Sequence, residues 1–330
     1  MVVICPSFFG YRDRIIGAFE RNGFDVIGFD DRPANDALTK GIIRLAPSLI
    51  KTRITNHYES ILKQARSFEP KYILFVNPES FRPELFTEFK SIGSRPDLIL
   101  YAWDSIANKP RILSSLAHFS YASTFDPRDA IRYGLHFRPL FFSTRPPCSP
   151  PEYSLAFWGT AHSDRYAVFK KVAKASATAS HLPVFSHLYV QNYASFYFRQ
   201  FLHSHSANVP LKALTTSSLG YDDILALMSR SCAVLDVQHP EQVGLTMRSI
   251  ETIGTQANLL TTNADVTRYS FYDDRTVAFL NREAPAPPGR LVRRRGDAER
   301  ANLQDYSIDT WARDLLAPRD MSVFYDVPTN

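Results

Sequence analysis

The sequence predicts an α/β protein made of two consecutive doubly wound domains. The chain has 330 residues, about twice the length of a typical domain. Short apolar runs alternate with stretches of helical spacing in both halves, and a proline-rich segment separates the halves. Repeated strand–helix units of this length form parallel sheets with right-handed crossovers. We therefore expect two Rossmann-like domains facing a central cleft, where such folds bind ligands.

The first half begins with an apolar run, Val2–Cys5, that is typical of a buried parallel strand. A helical pattern through Ile15 and Phe19 follows. The second strand, 25–29, ends before Pro33, because proline cannot continue a ladder of hydrogen bonds. The remaining predicted elements of this half are a helix at 56–68 and strands at 72–76, 98–103, 120–125 and 137–142.

Four prolines between residues 146 and 151 exclude a helix or an inner strand. We place the domain boundary there, which predicts an N-terminal acceptor domain at 1–145, a linker at 146–152 and a C-terminal donor domain at 153–330. The pattern restarts after the linker. Its predicted elements are strands at 155–158, 232–237 and 258–262 and helices at 164–174, 222–228 and 246–253.

The charge balance favours an anionic partner. The chain has 38 basic and 33 acidic residues, a net charge of +5. This modest excess is more typical of a protein that binds an anionic ligand or an anionic membrane surface than of a protein that coats DNA. The run 290–295 holds four arginines and is either a solvated loop or a contact for lipid headgroups or a phosphorylated acceptor. Aromatic and basic residues do not interleave as in nucleic-acid modules, so we expect no nucleic-acid partner.

The three cysteines are widely spaced, odd in number and form no Cys-x-x-Cys motif, which indicates a reduced cytoplasmic protein. The sequence has no signal-peptide pattern and no run of about 18 apolar residues, so any membrane contact is expected to be peripheral, on the inner face of the cytoplasmic membrane. It also lacks Asp-x-Asp, Gly-x-Gly-x-x-Gly, P-loop and His-Glu-x-x-His motifs. We expect no cofactor and no metal site.

The loop and helix after the predicted strand 232–237 form the first candidate site. Thr246 is a suitable N-cap, and the free N–H groups near it can face a diphosphate. Arg248 in the first turn can add a charge-assisted contact, and Glu251 can accept hydrogen bonds from a ribose. The alternative is a capped helix whose Arg248 and Glu251 form a surface pair. The loop residues assigned to donor binding with them are His239, Gln242, Gly244 and Leu245.

A second candidate lies where the predicted strand 155–158 meets the next helix. Gly159 and Thr160 form a turn that lets a pyrophosphate approach the backbone. His162, Ser163 and Arg165 complete this set of predicted donor contacts. The alternative is a tight turn followed by an ordinary N-cap. Phosphate binding becomes the better interpretation if this segment and the 242–251 segment form one pocket.

Three segments of the first half supply candidates for the acceptor side. Asp104 follows a predicted strand and is our candidate for the general base that deprotonates the acceptor hydroxyl; the alternative is an N-cap of the next helix. Asp31 and Arg32 end another strand and either contact the acceptor or form a solvated turn. Arg12 has the same two interpretations.

Four segments resemble one family of proteins. HPEQVGLTMRSIETIGTQANLLTTN, at 239–263, is similar to the donor-domain segment of bacterial lipopolysaccharide and capsule biosynthesis proteins, which are themselves similar to GT-B glycosyltransferases. SFFGYRDRII with FDDRP, LYAWDSIANKP and AFWGTAHSDRY agree with it in the same order. In the family, the glutamate of the equivalent helix binds the ribose, a role that falls on Glu251. The usual Glu-x7-Glu pair would require an acid at position 243, where this chain has Val243.

The resemblance implies a metal-independent glycosyltransferase that moves a sugar from a nucleotide-sugar donor to a lipopolysaccharide, capsule or other surface glycan or glycolipid. Two alternatives stay open. One is a GT-B-like transferase of polyol phosphate, and the other is a catalytically silent scaffold in a polysaccharide assembly complex, which Val243 favours. The donor sugar, the acceptor, the stereochemistry and the oligomeric state are left open by the sequence.

Overall fold

The computed structural model describes residues 1–36, 39, 41–43, 46–82, 84–161, 164–202, 209–239, 242–285, 294–296, 300, 301 and 303–327. The chain divides into two compact units. The first unit combines Met1–Leu140 with Ile308–Asn330, and the second unit is Phe141–Ser307.

The first unit is built on a six-stranded parallel sheet in the order β2-β1-β3-β4-β5-β6. Its strands are β1 (Val2–Ile4), β2 (Ile27–Phe29), β3 (Tyr72–Val76), β4 (Asp97–Ala102), β5 (Tyr121–Thr124) and β6 (His136–Phe137). Its first helices are α1 (Tyr11–Arg21), α2 (Lys51–Phe68), α3 (Leu85–Lys90) and α4 (Pro127–Tyr133), with 3-10 turns at Pro47–Ile50 and Pro110–His118.

Burial explains why the central strands are apolar without alternation. Every residue of β1 is fully buried, as are Ile73–Val76 of β3, because helices cover both faces of a parallel sheet. Local signals set the helix ends. Asp126 caps α4 by accepting hydrogen bonds from two backbone N–H groups, and Gly134 ends that helix in the left-handed conformation.

The second unit contains another six-stranded parallel sheet, in the order β12-β11-β10-β7-β8-β9. Its strands are β7 (Tyr153–Thr160), β8 (Val184–Tyr189), β9 (Leu214–Thr215), β10 (Ser231–Asp236), β11 (Asn258–Thr261) and β12 (Val277–Phe279). Its helices are α5 (Arg165–Ala179), α6 (Tyr193–Leu202), α7 (Tyr221–Ser229) and α8 (Met247–Ile253), with 3-10 turns at Leu211–Ala213, Ala264–Arg268 and Gln304–Tyr306. The prediction of two doubly wound α/β units is confirmed.

The C-terminal segment packs with the first unit, whereas the sequence analysis assigned it to the donor domain. The segment forms helix α9 (Ile308–Leu316) and a 3-10 turn at Met321–Val323. Trp311 is fully buried, and its ring lies edge-on to Tyr101 of β4 with 4.9 Å between centroids. Asp314 Oδ2 lies 2.8 Å from Nε of the buried Arg138. Tyr101 and Arg138, both from early parts of the chain, thus hold α9 to the first unit.

The proline-rich segment is part of the second unit, so the division falls after Leu140 and not within 146–152. Phe142 N–H donates to Tyr306 O at 2.9 Å, and Arg300 Nη1 donates to Pro146 O at 2.9 Å. These backbone contacts fix an extended segment that has no regular structure of its own.

Two arginines of the run 290–295 have structural partners. Arg294 donates to the carbonyl oxygens of Ser149 and Ser229, and Arg295, which is 4% exposed, donates to Ala257 O at 3.0 Å. Their assignment to a solvated loop or a lipid contact is therefore wrong, because their guanidinium groups bind backbone carbonyls; residues 290–293 lie outside the described residues. Within the described part of the chain, no helix is both long and apolar enough to cross a membrane.

Candidate functional site

The carboxyl ends of β7 and β10 bring the two predicted donor segments together. The strands are parallel neighbours. Arg248 of α8 donates to the carbonyl oxygen of Trp158 in β7, and Arg165 Nε of α5 donates to Val237 O after β10 at 3.0 Å. The segments 159–166 and 242–251 therefore meet at one edge of the sheet. His162 and Ser163, two of the predicted contacts, lie outside the described residues.

Gly159 lets this edge form. Its φ is +145°, in the region that favours glycine. A Cβ added there would lie 2.9 Å from Nη2 of Arg248 and 3.8 Å from Nη1 of Arg165. The absent side chain thus leaves space for two guanidinium groups beside the end of β7.

Arg165 differs from Arg248 in having no ion pair within the described part of the chain. It is half-buried at the first position of α5, and it forms no ion pair with a carboxylate of any described residue. Burial, and then the neighbouring Arg248, lower the pKa of Arg165 to about 10, so the side chain is still charged at neutral pH. A partly buried charge without a counter-ion has an unfavourable desolvation free energy, and a bound anion would offset it.

Arg248 is held by the protein itself. Its side chain is 13% exposed and pairs with the fully buried Asp236 at 2.9 Å, while its guanidinium lies over the Trp158 ring. Both terminal nitrogens are therefore occupied, by Asp236 and by Trp158 O. Each of these nitrogens keeps one further N–H, so the predicted phosphate contact of Arg248 stays a prediction, and the two internal bonds also make Arg248 a residue that positions its neighbours. The alternative of a surface pair with Glu251 is wrong because both residues are largely buried.

Glu251 also has partners within the second unit. It is 3% exposed and accepts hydrogen bonds from Ser143 N at 3.2 Å, Ser143 Oγ at 3.0 Å and Tyr221 OH at 3.0 Å. The carboxylate thereby fixes the start of the proline-rich segment to α8. Its contact with a ribose stays a prediction that would require one of these partners to give way.

The loop before α8 has the predicted cap. Thr246 Oγ1 accepts a hydrogen bond from Ser249 N at 3.2 Å, which confirms it as the N-cap. Gly244 and Leu245 are buried, and the Gln242 side-chain amide donates to Gly244 O at 2.8 Å, so these three residues shape the loop. Thr160 and His239 at the carboxyl ends of β7 and β10 are exposed, and Gln242 and Thr246 are partly exposed.

A pocket of about 500 Å³ lies at the carboxyl ends of β3 and β4 in the first unit. Asp104 is in its wall, and Asp104 Oδ1 accepts hydrogen bonds from Ser105 N at 2.9 Å and from Asn108 Nδ2 at 2.8 Å. Its other oxygen, Oδ2, has no partner among the described residues. The next helix-like turn begins at Pro110 after Lys109, so the alternative of Asp104 as a helix N-cap is wrong. The full lining is Ile43, Pro78, Glu79, Asp104, Asn108, Lys109, Pro110, Arg111 and Ile112.

Two of the predicted acceptor contacts are internal. Asp31 is fully buried and accepts hydrogen bonds from Tyr58 OH at 2.5 Å, Glu79 N at 2.8 Å and Ser80 N at 3.0 Å. Arg32 is 8% exposed and pairs with Glu79 at 2.7 Å. The acceptor assignment of Asp31 and Arg32 is therefore wrong for this conformation, because both hold the loop after β3. Arg12 lies 3.7 Å from Asp30, and its acceptor role stays a prediction.

The residue that sequence reasoning missed is Glu79. It pairs with Arg32 at 2.7 Å and with Lys109 at 2.6 Å. Burial opposes its ionisation, but Lys109 and then Arg32 outweigh that effect and lower the pKa of Glu79 to about 2. A signal was available in the sequence, since Asn77-Pro78-Glu79-Ser80 is a polar run directly after an apolar strand. Among the described residues, no three His, Cys, Asp or Glu side chains form a group that could hold a metal ion.

Solved structures share this arrangement of two sheets. A UDP-forming α,α-trehalose-phosphate synthase from Burkholderia vietnamiensis is similar over 96% of this chain and 97% of its own, with 10% identity and a TM-score of 0.54. A trehalose-6-phosphate structure from E. coli with bound UDP-2-fluoro glucose covers 96% and 98%, with 9% identity and a TM-score of 0.56.

HepE from Anabaena, in complex with UDP-glucose, is similar over 96% of this chain and 98% of its own, with 10% identity and a TM-score of 0.53. The chain has the GT-B fold. At such low identity the similarity establishes the fold alone. No protein-family model matches the sequence, and no curated protein matches it either.

The substitution Glu79→Gln tests the charge network of the first unit. In the folded protein the pKa of Glu79 is about 2, below the ordinary 4.5, so its ionised form adds stability that is complete above pH 4.5 and lost as the pH falls towards 2. We expect the variant to melt at a lower temperature at neutral pH, because Arg32 loses its partner. We also expect the stability of the variant to fall less steeply than that of the wild type as the pH decreases from 4.5 towards 2, because the variant lacks this carboxylate.

Circular dichroism melting curves across this pH range provide the measurement. Glu88→Gln is the matched control, because Glu88 forms an exposed pair with Arg66 that contributes little. If the melting temperatures of Glu79→Gln and of the wild type fell equally steeply with decreasing pH, the role assigned to the Glu79 carboxylate would be contradicted.

Proposed function

We propose that the chain is a glycosyltransferase that moves a sugar from a nucleotide-sugar donor to a glycan or glycolipid acceptor. One observation carries the proposal: Arg165, a partly buried cation that forms no ion pair with a described residue, lies beside Gly159 at the carboxyl edge of the second sheet of a GT-B fold. Ligands of doubly wound sheets bind at this edge.

The donor half of the site is suited to a diphosphate. Arg165 supplies a planar guanidinium that can bind phosphate oxygens, and α5 begins at the same residue, so its N-terminal N–H groups add a positive potential. Thr160 and His239, which are exposed, and Thr246, which is partly exposed, supply polar groups at the same edge. His162 and Ser163 keep their predicted donor role. UDP is the nucleotide we propose, because the E. coli and Anabaena structures contain UDP-sugars.

The pocket of the first unit is the acceptor-binding site that we propose. Asp104 Oδ2 is available as a hydrogen-bond acceptor, as a general base for the acceptor hydroxyl must be. Arg165 would stabilise the negative charge of the leaving diphosphate in place of a metal ion. Catalysis would then rest on positioning and on these two charges.

The acceptor class and the location belong to the same proposal. The resemblance to lipopolysaccharide and capsule biosynthesis proteins supports a bacterial surface glycan or its lipid-linked precursor as acceptor. Such acceptors are built at the inner face of the cytoplasmic membrane, and the net charge of +5 suits peripheral contact with anionic lipids. Mass analysis of the product would separate sugar transfer from transfer of a polyol phosphate.

Arg165→Gln should weaken UDP binding about tenfold to a hundredfold, since a hydrogen bond to a charged group is worth roughly 1.5–3 kcal/mol. Isothermal titration calorimetry with UDP measures the change. Arg230→Gln is the matched control, because Arg230 precedes β10 at the opposite, amino edge of the sheet and forms an exposed pair with Glu152. Wild-type affinity in Arg165→Gln would remove the donor assignment.

Asp104→Asn should lower turnover by about 10²- to 10⁴-fold, the usual contribution of a general base, and should leave the UDP dissociation constant unchanged. A donor screen read out by mass spectrometry of the product identifies the substrate for this assay. Asp97→Asn is the control, because Asp97 lies at the other end of the same strand, β4. Its carboxylate accepts a hydrogen bond from Ser120 Oγ at 2.8 Å. Full turnover in Asp104→Asn would exclude Asp104 as the base.

A further inference from the structure

The pocket of the first unit is lined by two cations, Lys109 and Arg111, and by two carboxylates, Glu79 and Asp104. Glu79, its most buried charged side chain, is already shared by two cations. Arg32 Nη2 lies 2.7 Å from one carboxylate oxygen, and Lys109 Nζ lies 2.6 Å from the other. These three side chains together have a net charge of about one positive unit. An ammonium group has three N–H donors, so Lys109 keeps others for a ligand after bonding Glu79.

Arg111 adds a second uncompensated charge. It lines the same pocket and is exposed, and no described residue accepts a hydrogen bond or forms an ion pair with its guanidinium. Since it holds no part of the fold together, its charge is available to a ligand. A guanidinium can bind a carboxylate or a phosphate through two parallel hydrogen bonds.

Asp104 gives the pocket one group of opposite character. Its Oδ1 is occupied by Ser105 N and Asn108 Nδ2, while Oδ2 has no donor among the described residues. A hydroxyl group is the ligand group that suits a free carboxylate oxygen, and anionic groups are repelled from it. The pocket therefore has a hydroxyl-binding wall and a cationic wall.

We propose that this pocket recognises an acidic sugar: a hydroxyl of the acceptor meets Asp104, and a carboxylate or phosphate on the same sugar binds Lys109 and Arg111. The inference names the acceptor class and rests on the proposed function. A volume of about 500 Å³ is in the range of small-ligand sites, so the pocket takes the acidic terminal sugar and not a long stretch of the acceptor chain.

Three sugars that differ in one substituent test the proposal: galactose, galacturonate and galactose 6-phosphate. Each is titrated calorimetrically into the full chain in the presence of saturating UDP, so that the donor site is filled. We expect at least one acidic sugar to bind about tenfold more tightly than galactose. The comparison between galacturonate and galactose 6-phosphate identifies which acidic group is preferred.

Arg111→Gln should weaken binding of the preferred acidic sugar about tenfold and leave the affinity for galactose unchanged, because the Arg111 guanidinium binds no other described residue. Lys109→Gln should act in the same direction. Arg128→Gln and Lys63→Gln are matched controls, since both residues are exposed on helices of the same unit and do not line the pocket.

Equal binding of the three sugars, binding of none of them, or wild-type affinity in Arg111→Gln would overturn the proposal. The UDP titration of the same samples reports on the donor site separately. Normal UDP binding with no preference for an acidic sugar would overturn this inference alone, whereas absence of UDP binding would count against the proposed function.

Discussion

The carboxyl edge of the second sheet depends on the buried ion pair between Arg248 and Asp236. Asp236 is fully buried and also accepts a hydrogen bond from Ser249 Oγ at 2.8 Å, so one carboxylate holds two neighbouring residues of the first turn of α8. Removing one partner of such a pair typically costs about 3–5 kcal/mol. Asp236 neutralises Arg248, whereas Arg165 forms no ion pair with a described residue, and this difference is the physical basis that we propose for binding a diphosphate.

The first unit uses buried carboxylates in a comparable way. Asp31 receives hydrogen bonds from Tyr58 and from the backbone after β3, and so sets the path of the loop that presents Glu79. Glu79 in turn holds Arg32 and Lys109. In both units, buried carboxylates thus fix the positions of arginine or lysine side chains. The anionic ligand groups that we propose would pair with the positive charges that these carboxylates do not neutralise.

Local signals in the sequence predicted the strands of the first unit, the strands β7, β10 and β11 of the second, the glycine turn at Gly159 and the N-cap at Thr246. The shorter or less apolar strands β8, β9 and β12 were not predicted. Contacts between distant residues gave no such signal. Glu251 meets Ser143 across 108 positions of the chain, and α9 joins the first unit through Tyr101 and Arg138. Residue type alone therefore could not separate a charged group that binds ligand, such as Arg165, from one that holds the fold, such as Arg32.

A crystal structure of the protein with bound UDP tests the central claim most directly. Our account predicts phosphate oxygens within hydrogen-bonding distance, about 3 Å, of the Arg165 guanidinium and next to the Gly159 backbone, with the Arg248–Asp236 pair intact. A nucleotide bound elsewhere, or an Arg165 side chain paired with a carboxylate of the protein while UDP is present, would contradict it.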